Sequence, residues 1–240
     1  MSNFPANYLH TFIAVPLFIV FVVSSIKSYR RTKNRITLYL GITVGSYVLT
    51  MLCLGFPALF TQDTRILTAS MLLGSFCELL AGITMWALVA RLYAPKSDFI
   101  RGSIMSLGII IALVTGYFAL RDLLANPVTL VQRGSFQILY SPVTPQYTIA
   151  LALQYVSTLF IAMAFWRQSG TVATMRDKVR LRVLSVMFAV VFVVLGLLPF
   201  SSPGGNGVLS ITQSIQLAIG LSLLGVFMAI TFFIRPDKKV

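Results

Sequence analysis

Charge is scarce in this chain of 240 residues: 10% are Asp, Glu, Lys or Arg, and only six are acidic. An ordinary soluble domain is about a quarter charged, so a soluble globular fold is excluded. Histidine occurs once and cysteine twice, which is too few ligands for an ordinary zinc site. Cys53 and Cys77 lie inside apolar runs, where a free thiol behaves as a small apolar side chain. We therefore expect no disulfide, no metal and no cofactor. His10 stands at the end of the first apolar run and is expected to be an interfacial side chain. Metalloprotease H-E-x-x-H, phosphate-cradling G-x-x-x-x-G-K and paired intrahelical acids are all missing, and with them the usual signatures of an enzyme.

Hydrophobic residues make up 57% of the chain. They gather into long runs at about 8–26, 36–60, 66–92, 103–120, 147–166, 183–200 and 208–234. Most approach the ~20 residues that a helix needs to cross hydrocarbon. Their continuous apolarity is unlike the alternating segments of a barrel. The expected fold is one all-α integral membrane domain, residues 1–240, with seven transmembrane helices. A 121–146 segment rich in turn formers around Phe136–Tyr140 is expected to form an ordered cap, as a small hairpin.

The cations report orientation. The opening MSNFPANYLH carries no Lys or Arg, whereas KSYRRTKNR follows the first run; a secretory signal has the opposite order. With the N terminus outside and the C terminus cytoplasmic, sixteen of the nineteen Lys and Arg residues face inward, leaving Arg65, Arg121 and Arg133 outside. That bias is the positive-inside pattern, and it implies a cell inner (plasma) membrane location. It also accounts for the net charge of +13 through topology and an anionic inner leaflet, with no nucleic acid as partner. The basic stretch WRQSGTVATMRDKVRLR is expected to extend helix 6 beyond the membrane. Its Arg176, Lys178, Arg180 and Arg182 are candidates for contact with a cytoplasmic signalling partner or a membrane complex.

Glu78 is the one glutamate, with twelve uncharged residues on either side, Ile66 to Cys77 and Leu79 to Ala90. At ~1.5 Å per residue this places its carboxyl group near the bilayer midplane. Intramembrane acids generally face the bundle interior and mark pathways or ligand sites. Gly74, Ser75, Ala81 and Gly82 surround it on one helical face, a small-residue strip that lets another helix or a ligand approach. No other expected helix carries a central Lys or Arg, so the acid is expected in its neutral form. Candidate hydrogen-bond partners are Thr43, Ser46, Tyr47 and Thr50 on helix 2, Gln154 and Tyr155 on helix 5, and Thr212, Gln213 and Gln216 on helix 7. Glu78, Ser75, Tyr47, Gln154, Tyr155, Gln213 and Gln216 form the candidate ligand- or proton-binding set. The same groups can serve as interhelical glue.

Seven helices invite comparison with known families. Helix 7 has no lysine for a retinal Schiff base, the inner end of helix 3 reads ARLY instead of D-R-Y, and N-P-x-x-Y is missing. Helices 1–3 and 5–7 repeat in length as in SWEET-type sugar transporters, but helix 1 reads Val15-Pro16-Leu17 where those families show Pro-Gln. The chain more nearly resembles the seven-helix sensor region at the N terminus of bacterial histidine kinases. The resemblance lies in a basic first inner loop, RGSF and a tyrosine before helix 5, a basic loop before helix 6 and a polar start to helix 7. The chain ends six residues after helix 7 without a kinase, so the resemblance implies a stand-alone receptor-like protein or a truncated sensor. The expected function is a sensor that binds a small ligand or proton in an outer-half polar pocket and signals through basic inner loops. A proton-coupled small-solute transporter and an accessory subunit of a larger membrane complex remain alternatives.

Overall fold

The computed structural model describes residues 7–57, 60–133, 136–140 and 144–197. Six α-helices occupy this part of the chain: α1 (Asn7–Thr32), α2 (Arg35–Gly55), α3 (Thr64–Tyr93), α4 (Asp98–Ala125), α5 (Pro145–Ser169) and α6 (Met175–Val191). A π-helical segment, Phe192–Leu197, continues α6. Among the described residues, four helices are long and apolar enough to cross a membrane: α3, α4, α5 and the Arg35–Cys53 part of α2. The fold is that of a helical membrane protein. The expected seventh helix, with Thr212, Gln213 and Gln216, lies outside the described residues.

The helix starts follow from side-chain chemistry. Asn34, Asp63, Ser97, Thr144 and Thr174 are the N-caps of α2 to α6, and each side-chain oxygen accepts a backbone N–H of the first turn. Such caps satisfy donors that would otherwise have no partner. Pro145 then opens α5 at a position where its missing N–H costs nothing. Between α1 and α2 the chain turns at Lys33, whose φ of 55° is left-handed. Its N–H donates to Tyr29 O at 2.8 Å and closes α1.

Four of the expected spans, 8–26, 66–92, 103–120 and 147–166, prove shorter than the helices that contain them. The 103–120 run lies inside α4, which gains about one turn at each end, and the 183–200 run begins eight residues into α6. Hydropathy marks the segment that crosses hydrocarbon, whereas the helix continues until its caps stop it. The basic stretch does extend helix 6, beginning at Met175. The all-α expectation needs one addition, which the cap segment had itself suggested. Thr129–Arg133 pairs antiparallel with Phe136–Tyr140 in a two-stranded hairpin between α4 and α5. The hairpin is tied to the bundle at its base, where Val128 N–H donates to Thr68 Oγ1 at 3.0 Å and the fully buried Val128 packs with Leu67 and Leu123.

α3 is the hub, packed against α2, α4 and α5, while α6 packs on α5 and α1 on α2. Close packing of α3 with α4 depends on glycine. A Cβ at Gly108 would lie 2.3 Å from Trp86 Cβ, and one at Gly116 would lie 2.6 Å from Leu79 Cδ1. Trp86 is correspondingly buried, at 6% exposure. Packed against Gly108, this ring is held inside the bundle and away from a membrane interface. Trp166 and Tyr93, by contrast, are exposed near helix ends, where amphipathic rings favour the membrane boundary.

Candidate functional site

Glu78 lies fourteen residues after Thr64, midway along the 30-residue α3. It is half-buried, and Tyr155 Oη donates a hydrogen bond of 2.5 Å to its Oε1. Tyr155 comes from α5 and is 1% exposed. Its neighbour Gln154, 0% exposed, donates from Nε2 to the Glu78 main-chain carbonyl at 3.1 Å. Two consecutive residues of α5 thus grip the side chain and the backbone of one residue on α3.

Gly82 makes that grip possible. A Cβ there would fall 2.4 Å from Gln154 Cδ and Nε2, well inside the ~3.5–4.0 Å optimum for carbon contact. The small-residue strip noted in the sequence serves this purpose, letting the Gln154 amide lie against the α3 backbone. On the side facing α2, Thr50 Oγ1 donates to Gly74 O at 3.1 Å, and the Thr43 and Thr84 hydroxyls pair at 2.8 Å. Tyr47 reaches the site from α2 as well. Its ring stacks on Tyr155 with centroids 6.4 Å apart and planes inclined by 15°. The two hydroxyls also interact, and Tyr47 Oη lies 3.8 Å from Met85 Sδ.

The expected set therefore divides. Glu78, Tyr155, Gln154 and Tyr47 come together from three helices. Ser75 turns back to Met71 O on its own helix at 3.0 Å and does not join them, because a short hydroxyl in a helix readily bonds the preceding turn. Gln213 and Gln216 lie outside the described residues. Beyond Tyr47, a cavity of about 30 Å³ is lined by apolar surface from Phe18, Val44, Met51, Met85, Met187 and Phe188, among others. Among the described residues, Gln154 Oε1 and Trp86 Nε1 are buried without a hydrogen-bond partner. Buried polar atoms are rarely left in that state.

The basic candidates stand on the first two turns of α6. Arg182 stacks over the Trp166 ring at 5.2 Å. Arg180 is half-buried, and its Nε has no partner among the described residues. α6 is fixed to α5 by the Ser185 Oγ bond to Ala162 O at 2.7 Å and by the Phe165–Phe188 contact at 6.0 Å. The polar grip on Glu78 and the basic end of α6 are thus connected through one rigid element, α5.

A second polar centre escaped the sequence reading. At the hairpin end of the bundle Asp122, 3% exposed, accepts from Arg121 Nε at 3.0 Å and Nη2 at 2.8 Å. Its other oxygen accepts from the backbone N–H and the hydroxyl of Thr144, both at 2.8 Å. Arg121 Nη2 also reaches Thr144 Oγ1 at 2.7 Å. The end of α4 is thereby tied to the cap of α5. The available signal was Thr144-Pro145, a cap followed by a first-turn proline: it marks a helix start beside which a nearby carboxylate finds free donors. No protein-family model matches the chain, and no curated protein sequence matches it.

Proposed function

We propose that this chain is a sensor or receptor-like protein of a prokaryotic inner membrane, with seven spanning helices, the N terminus outside and the end of the seventh helix cytoplasmic. It binds a small ligand or a proton at the Glu78 site and passes the change to the basic end of α6. The observation that carries this reading is the Tyr155–Glu78 hydrogen bond, with the fully buried Gln154 holding a spare acceptor beside it. A lone acid in hydrocarbon is a costly choice that structural glue does not require, since glutamine would bridge helices as well.

The mechanism follows from connectivity. Occupancy at Glu78 changes what Tyr155 can donate to, which favours one position of α5 over another. α5 carries α6 with it through Ser185 and the Phe165–Phe188 contact. Arg176, Lys178, Arg180 and Arg182 then meet the anionic inner leaflet and a cytoplasmic partner differently in the two states. A ligand achieves this only through different affinities for the two arrangements.

The test uses purified full-length chain in proteoliposomes, scanned for ligand binding and solute flux in wild type and Glu78→Gln. Saturable binding without flux, lost in the variant, is expected. Counterflow of a solute with proton coupling abolished by Glu78→Gln would instead make the chain a transporter. Neither property, together with stable co-purification in a larger complex, would make it an accessory subunit.

A further inference from the structure

Resting on the reading above, we propose that Glu78 exchanges its proton with the outer surface along one stripe of α5, through Tyr147, with the Arg121–Asp122–Thr144 cluster as the entrance. Thr144, Tyr147 and Gln154 are spaced by three and seven residues, and Tyr155 follows directly. At 3.6 residues per turn they share one face of α5. At the outer end of that stripe Thr144 binds both Asp122 and Arg121, and Arg121 remains 40% exposed to solvent. At its inner end Tyr155 and Gln154 hold Glu78. Tyr147 lies between them on that face, one turn after Thr144 and two turns before Gln154.

The other direction is apolar among the described residues. Past Glu78 toward α6 stand the fully buried Met85, Leu88, Ile161 and Met187, and the small cavity beside Met85 and Met187 is lined by apolar surface alone. The hydroxyls of Ser157 and Thr158 in that region are committed to carbonyls of their own helix, at 2.7 and 2.6 Å. Among the described residues, the titratable groups facing Glu78 are Tyr47 from α2 and Tyr147 and Tyr155 from α5. α4, also packed on α3, keeps its charged residues Asp98, Arg101, Arg121 and Asp122 in its end turns. A competing cation at the centre is therefore missing among the described residues.

Tyr147 can relay because a hydroxyl both donates and accepts. The proton that it releases toward Glu78 is replaced by one taken from water at the Asp122 side, so the residue itself is unchanged. Leu151 occupies the turn between Tyr147 and Tyr155, and that gap must be bridged by water. The unpartnered Oε1 of Gln154 supplies an acceptor for it, as buried waters generally bind polar atoms that lack a protein partner.

The experiment follows the carboxylic C=O infrared band of the full chain in lipid, assigned by its loss in Glu78→Gln, and times its shift on transfer to D2O buffer. Tyr147→Phe is expected to slow exchange by about tenfold, as when one hydrogen-bonded step is lost at the barrier, with the band amplitude retained. Gln154→Met is expected to slow it as well, and Tyr93→Phe, at the opposite end of α3, to leave it unchanged. Wild-type exchange in both Tyr147→Phe and Gln154→Met would overturn the path while leaving Glu78 as a proton site. A Glu78 band that is missing, or that does not respond to pH, would overturn the path together with proton binding at Glu78.

Discussion

Gly82→Ala is the sharpest stability probe of the site. In an unobstructed helix the change gains roughly 0.5–1 kcal/mol from propensity. Here the new methyl group would stand 2.4 Å from Gln154 Cδ and Nε2 and 2.8 Å from its Cγ. Gln154 is fully buried and has nowhere to retreat, so α5 must shift or the amide must leave the Glu78 carbonyl. The lost interhelical hydrogen bond costs about 0.6–1.7 kcal/mol in a membrane bundle, and overpacking typically adds about 1–3 kcal/mol. A net loss of about 0.6–4 kcal/mol is expected after the propensity gain. It is measurable by reversible denaturation in mixed micelles. Gly102→Ala is the control, because nothing lies within 4 Å of its added Cβ and it should be neutral or stabilising. In a double-mutant cycle Gly82→Ala should cost much less on a Gln154→Ala background. Equal costs on both backgrounds, or a stabilising Gly82→Ala, would refute the close approach of α5 to α3.

Other perturbations probe single links. Tyr155→Phe removes the donor to Glu78 Oε1 but keeps the ring stacked on Tyr47, and should cost about 1 kcal/mol; unchanged thermal stability would speak against the bond. Asp122→Ala strands Arg121 and two donors of Thr144 and should cost about 1.5–3 kcal/mol, with amide exchange accelerating first in residues 121–125 and 144–148. Ser185→Ala leaves Ala162 O without its partner at the α5–α6 contact and should cost about 0.6 kcal/mol, while weakening any effect of Glu78 on α6.

The order of helices could be read from hydropathy, and their starts from residues such as Asn34, Asp63 and Thr174, because a cap is a local transaction between a side chain and the next turn. Glu78 stood out because burial of an acid is costly wherever it occurs. Its partners were harder to choose. Thr43, Thr50, Ser75 and Tyr155 look alike as intramembrane polar residues, yet Ser75 bonds its own helix and Tyr155 crosses to α3. That choice depends on helix rotation, which three-dimensional packing around Gly82 and Gly108 sets. Asp122 was overlooked for a related reason. Beside Arg121 in a sequence it reads as a solvated pair, and only the approach of Thr144 from α5 buries it.

Coupling between Glu78 and α6 can be measured directly by spin-label distances between Val179→Cys on α6 and Phe99→Cys at the start of α4. Both positions are exposed, and the native Cys53 and Cys77 would be replaced by serine. In lipid, wild type is expected to show two distance populations whose ratio changes with pH or added ligand, and Glu78→Gln to hold one ratio throughout. A shift of equal size in wild type and Glu78→Gln would contradict the proposal that occupancy of Glu78 moves the basic end of α6.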